Sequence, residues 1–162
     1  MSSAQAVIEA LKARQWMLVT AESCTAGMIA AAITDIAGSS AVLDRGFVTY
    51  SNASKIEMLG VPEEMIEAHG AVSEQVAKDM AKGALNQSAA DIAISVTGLA
   101  GPGGTKYKPE GRVCFGCATR DGKTTIETVE FGAIGRAHVR AGTVERAFEI
   151  IINAANRNLP IS

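Results

Sequence analysis

Short runs of β-forming apolar residues alternate along this chain with longer Ala-rich runs of helical period. That alternation restricts the fold more than any other feature. Met17–Ala21, Leu43–Tyr50 and Asp91–Val96 read as strands. Ser3–Gln15, Thr25–Ile36, Ala53–Leu59, Glu63–Ala68, Ser73–Leu85 and Arg136–Ala155 read as helices. Ser2 with Gln5 forms a capping-box pattern, Pro62 opens one helix and Gly38 closes another. Asp121-Gly122 between Arg112–Thr119 and Thr124–Phe131 is a hairpin turn signal, so at least one strand pair is antiparallel. Strands mixed with helices in this order predict a three-layer α/β/α domain around a mixed sheet of five or six strands. At 162 residues, that domain is expected to span 1–162.

Composition excludes several classes. A formal net charge of −2 argues against a broad nucleic-acid footprint, and four Phe, two Tyr and one Trp leave few base-stacking platforms. No apolar run reaches the roughly 18 residues a membrane helix needs. The start, Met1 to Gln15, lacks a basic stretch followed by an apolar one, so it does not read as a signal peptide. An odd count of three cysteines suits a reducing cytoplasm. Cys114 and Cys117 stand three apart within one predicted strand and so point to opposite faces, a poor metal or redox pair. Glu63, Glu64, Glu127 and Glu130 read as solvated.

Three segments concentrate small polar residues at strand ends, where open α/β sheets bind ligands. In Thr20–Gly27, a strand-to-helix turn exposes backbone N–H groups at Cys24, Thr25, Ala26 and Gly27 to an anion. Ser23 there is either the helix cap or a nucleophile whose oxyanion meets those N–H groups. Cys24 reads as a small buried thiol, because His69 and His138 are distant in sequence. In Thr49–Lys55, Lys55 is a general base if desolvation lowers its pKa, or else a solvated helix lysine. Tyr50 either relays a proton or is a strand-end tyrosine, and Ser51 and Asn52 lie beside it. The stretch Thr97–Gly111 holds five glycines and two prolines. It reads as a phosphate cradle using Thr97, Gly98, Gly101, Gly103, Gly104 and Thr105, or as a surface lid. It matches neither a Walker A motif nor Gly-x-Gly-x-x-Gly.

Four motifs occur in order: Ala21-Glu-Ser-Cys-Thr-Ala-Gly27, Val48-Thr-Tyr-Ser-Asn52 with Lys55, Gly70-Ala-Val-Ser-Glu-Gln-Val-Ala77, and Ser95-Val-Thr-Gly-Leu-Ala-Gly-Pro-Gly-Gly104. Together they resemble the C-terminal domain of the competence- and damage-inducible CinA family, from about residue 4 to 157. The resemblance implies the family's α/β/α fold and a nicotinamide-nucleotide amidase. That enzyme deamidates nicotinamide mononucleotide (NMN) to nicotinate mononucleotide and ammonia, in the recycling of NAD. It implies a Ser–Lys–Tyr group at Ser23, Lys55 and Tyr50, no metal or cofactor, and a homo-oligomer, usually a dimer. Arg136 and Arg140 are added as candidate phosphate contacts. Ala26 stands where the family usually has Gly, and the extra methyl is expected to narrow the anion site. The glycine-rich loop has fewer Gly and acidic residues than usual, and a bulkier residue, Glu110, before its last Gly. Ala133-Ile-Gly-Arg136 lacks the Asp of the family's Gly-Asp-Arg. The pyrophosphatase activity attached to the N-terminal domain of longer relatives is not expected here. Two alternatives remain: a non-catalytic nucleotide-binding or protein-interaction module in competence or DNA damage, and hydrolysis of a different small amide.

Overall fold

A computed structural model describes residues 1–157; residues 158–162, the end of the expected 1–162 unit, lie outside the described residues. The five strands are β1 (Leu18–Glu22), β2 (Leu43–Val48), β3 (Ile92–Gly98), β4 (Arg112–Thr119) and β5 (Thr124–Glu130). They lie in the order β2-β1-β3-β4-β5. β2, β1 and β3 run parallel, and β4 and β5 are antiparallel to their neighbours. The helices are α1 (Ser3–Arg14), α2 (Met28–Thr34), α3 (Asn52–Leu59), α4 (Glu63–His69), α5 (Glu74–Asn86) and α6 (Arg136–Ala155). A 3-10 turn, Ser39–Ala41, was not legible in the sequence. None of the described helices is long and apolar enough to cross a membrane.

The period of two along each strand sorts side chains into two cores. Leu18, Ile92, Ile94, Val96, Val113, Phe115 and Cys117 face α1, α2 and α6. Val19, Ala21, Ala93 and Ala118 face α3, α4 and α5. This is the expected three-layer arrangement. The second face carries small residues, which lets α5 sit close. Gly83 of α5 lies against α3, where a Cβ would come within 1.9 Å of the Leu59 carbonyl oxygen. Contact that close fixes the end of α3, the helix that carries Lys55.

Chain connections place the site. β1 passes to β2 through α2 on one face, and β2 passes to β3 through α3, α4 and α5 on the other. The carboxyl ends of β1 and β3 therefore open where the connections diverge, the usual ligand crevice of an open α/β sheet.

Candidate active site

Ser23 follows β1 directly, and its N–H donates to the Val96 carbonyl at 3.1 Å, which ties the residue to the end of β3. Ser51 caps α3 by accepting the Ser54 N–H at 3.1 Å. One turn later the Lys55 side chain runs into the protein, leaving the residue only 1% exposed. Its Nζ lies 3.1 Å from Ser23 Oγ, 2.9 Å from the Thr49 carbonyl and 3.3 Å from the Tyr50 carbonyl. No carboxylate pairs with Lys55 among the described residues. Burial lowers its pKa from the ordinary lysine value. Nζ donates to the two carbonyls and to Ser23 Oγ; when the amine is neutral its lone pair is able to accept the Ser23 hydroxyl proton instead.

The turn after β1 departs from expectation. The helix predicted from Thr25 begins at Met28, because Ala26 (φ 49°) and Gly27 (φ 101°) adopt left-handed backbone. Ser23 is therefore not the cap. The helix start is filled by a residue that sequence reasoning missed, the buried Glu22. Its carboxylate accepts the Thr25 hydroxyl at 2.6 Å and the Ile29 and Ala30 N–H groups at 2.9 and 3.1 Å. The anion site expected at the helix start thus holds the chain's own carboxylate. A lone acid inside the apolar run Leu18–Glu22 was the available signal. Of the expected N–H donors, Ala26 turns back to the Ser23 carbonyl. The Cys24 and Thr25 amides have no protein acceptor among the described residues. Arg140 grips the Cys24 and Thr25 carbonyls at 3.0 and 3.4 Å, so it braces the turn and does not present itself as a phosphate contact. Cys24 is buried, and its thiol is pushed up to about 11 by desolvation, which keeps it protonated at neutral pH.

Beside the chain neighbours of this pair lies a cavity of about 220 Å³ lined by Cys24, Tyr50, Arg136 and the loop from Gly98 to Gly103; Ser23 and Lys55 are buried behind it and do not line it. The Tyr50 hydroxyl does not reach Lys55 or Ser23. It accepts from Arg136 Nη2 at 2.9 Å, and only the Tyr50 backbone carbonyl touches Lys55. The tyrosine relay between Ser23 and Lys55 gives way to direct contact. The glycine-rich loop is also less open than its sequence suggested. Glu110 accepts the Gly103 N–H, and Gly104 packs against the returning half of the loop, where a Cβ would meet the Lys108 carbonyl. The Thr97 hydroxyl donates to the Ala71 carbonyl at 2.9 Å, and the Thr105 hydroxyl accepts the Lys108 N–H at 3.1 Å. Gly98, Gly101 and Gly103 remain at the cavity; Gly104 and Thr105 hold the loop's shape, and Thr97 ties β3 to the segment before α5. Ser51 serves as a cap, and Asn52 is an exposed first residue of α3. Cys117 belongs to the first core and Cys114 faces the other way, beside Thr128. Glu127 and Glu130 pair with Arg146 and Arg112 rather than standing free.

A family profile described as the CinA C-terminal domain matches residues 1–155. The chain belongs to this family. It is 58% identical over 123 residues to the nicotinamide-nucleotide amidohydrolase PncC of Enterobacter agglomerans, covering 75% of each protein. The PncC of Escherichia coli K12 is 55% identical over 124 residues, 76% of this chain and 75% of that one. A putative competence-damage inducible protein of Symbiobacterium thermophilum is 57% identical over 117 residues, which is 72% of this chain but only 28% of that protein. Among solved structures, the competence/damage inducible protein CihA of Agrobacterium tumefaciens superposes with a TM-score of 0.92 at 48% identity. That match covers 96% of this chain and 94% of the other. Ala26, where the family usually has Gly, is exposed and adopts left-handed backbone, which costs an L-residue energy. Arg136 keeps a defined place without the Asp before it, bonded to Tyr50 and to the Gly101 carbonyl at 2.7 Å.

Proposed function

We propose that this chain is a nicotinamide-nucleotide amidohydrolase, converting NMN and water to nicotinate mononucleotide and ammonia in the recycling of NAD. The buried contact between Ser23 Oγ and an uncompensated Lys55 Nζ carries the reading. The names of the PncC relatives supply the substrate.

Neutral Lys55 takes the Ser23 proton as Oγ attacks the carboxamide carbon. The amides of Cys24 and Thr25, which have no backbone acceptor among the described residues, serve as donors for the oxyanion. The tetrahedral adduct collapses with cleavage of the C–N bond, and the proton on Lys55 passes to the leaving nitrogen as ammonia forms. A water then attacks the acyl ester. Lys55 takes one of its protons and returns it to Ser23 Oγ as the ester C–O bond breaks, and the released acid gives its remaining proton to solvent. The carbonyls of Thr49 and Tyr50 hold the Lys55 N–H groups throughout, so the amine does not swing away. Tyr50 and Arg136 line the mouth through which the nucleotide enters. We assign residues 1–162 to one amidase domain acting as a homodimer in the cytoplasm.

The direct check is ammonia release from NMN by wild type beside Ser23→Ala, with matched circular dichroism spectra. Loss of release in the folded variant is the expected result. Activity retained in Ser23→Ala removes Ser23 as nucleophile. Its absence from the folded wild type removes the substrate.

A further inference from the structure

Arg136 makes two hydrogen bonds, both to neutral acceptors: the Gly101 carbonyl at 2.7 Å and the Tyr50 hydroxyl at 2.9 Å. No carboxylate pairs with it among the described residues. One exposed cation thus ties three segments across the cavity: the chain after β2, the glycine-rich loop and the start of α6. The same bond keeps the Tyr50 hydroxyl away from the Ser23–Lys55 pair, although the Tyr50 main chain touches Lys55. Tyr50 is 60% exposed, so little packing opposes a swing of its ring.

A phosphate dianion is a stronger partner for a guanidinium than a carbonyl and a phenol. Its bonds to a guanidinium join two opposite charges and fit the planar fork in pairs, whereas the bonds to the carbonyl and the phenol have one charged member only. We propose that Arg136 is an anion-operated clasp. The phosphate of a bound nucleotide draws the guanidinium off the Gly101 carbonyl and the Tyr50 hydroxyl, and the released phenol turns toward the carboxamide at Ser23. No covalent bond changes in this step. The clasp makes the phosphate a condition for turnover as well as a handle for binding, so the enzyme separates nucleotide from nucleoside in kcat. The inference rests on the amidase reading of the site.

The test supplies the substrate in two pieces. Full-length protein is given nicotinamide riboside, which lacks the phosphate, with and without inorganic phosphite; NMN is the control. Phosphite should raise kcat for the riboside about tenfold, the order expected when a guanidinium exchanges a neutral acceptor for a dianion. Folded Arg136→Ala, altered at an exposed position, should show no stimulation. Turnover of NMN with no stimulation of the riboside overturns the clasp and leaves the amidase reading intact. Equal stimulation in Arg136→Ala, or an effect on KM alone, also overturns it. Failure of folded wild type to turn over either substrate overturns the amidase reading and the clasp together.

Discussion

Lys55 carries its amine where its charge is disfavoured, and that has consequences for both rate and stability. The folded pKa is lowered, so between that value and the ordinary one the unfolded chain binds more protons than the native chain. Stability then rises with pH across that window; below it, the burial penalty is present in full. Lys55→Met removes the amine at nearly constant shape. We expect wild type to gain stability relative to Lys55→Met as pH climbs toward the ordinary lysine value, read by urea denaturation at a series of pH values. A wild type that loses stability relative to Lys55→Met as pH rises contradicts the burial account. The same variant should lose about 10²–10⁴ in kcat, the usual contribution of a general base. The wild-type kcat/KM should rise with pH through the lowered pKa, as the neutral amine becomes the resting form. Ala26 makes the opposite case, in which strain rather than chemistry is at stake. Its φ of 49° costs about 1–2 kcal/mol in an L-residue, while glycine there gives back about 0.4–1 kcal/mol in unfolded-chain entropy. Ala26→Gly should therefore stabilise by about 0.5–1 kcal/mol. The expected rise in Tm is roughly 1–4 °C by calorimetry, and no rise means the turn already accommodates alanine.

At the scale of elements, α2 begins on Glu22 rather than on a cap in its own sequence. Replacing Glu22 with Ala leaves the Ile29 and Ala30 N–H groups and the Thr25 hydroxyl without their buried acceptor. The cost should be about 3 kcal/mol, read as a lower denaturant midpoint with an unchanged m-value. A shift under about 1 kcal/mol means water replaces the carboxylate. This helix also shows where sequence patterning stops. Apolar spacing located α6 at Arg136–Ala155, and Asp121-Gly122 located the β4–β5 hairpin, because period and turn chemistry are local properties. The start of α2 was misplaced because Ala26 has no local reason to be left-handed; contacts across the turn impose that shape. Ser23 and Lys55 were legible as residue types with workable chemistry. Their 3.1 Å contact depends on α3 packing against α5 through Gly83, which no spacing along the chain encodes. The glycine-rich loop looked open because its bonds to Glu110 and Lys108 close it from the far side of a long excursion.

At the scale of the whole molecule, the cavity beside Ser23 is small for its task. It holds about 220 Å³, below the roughly 300–1,000 Å³ of sites that enclose a drug-sized ligand. A mononucleotide seated there would leave much of its surface in water. β2 is an edge strand with one ladder side unpaired; Val48 and Tyr50 at or just beyond its end, and Met58 on α3, are exposed. A second copy docked along this edge would cover that surface and deepen both sites by the same contact, since a two-fold interface is self-complementary. Activity then follows mass action: the dimer binds substrate better, and dilution removes it. Specific activity on NMN should fall as enzyme is diluted from micromolar to nanomolar, in step with a halving of mass by light scattering. Val48→Lys should shift that fall to higher concentration while the circular dichroism spectrum holds. A monomer by light scattering with undiminished activity at nanomolar concentration removes the dimer, and the shallow cavity must then bind the nucleotide by its two ends alone, at Ser23 and at Arg136.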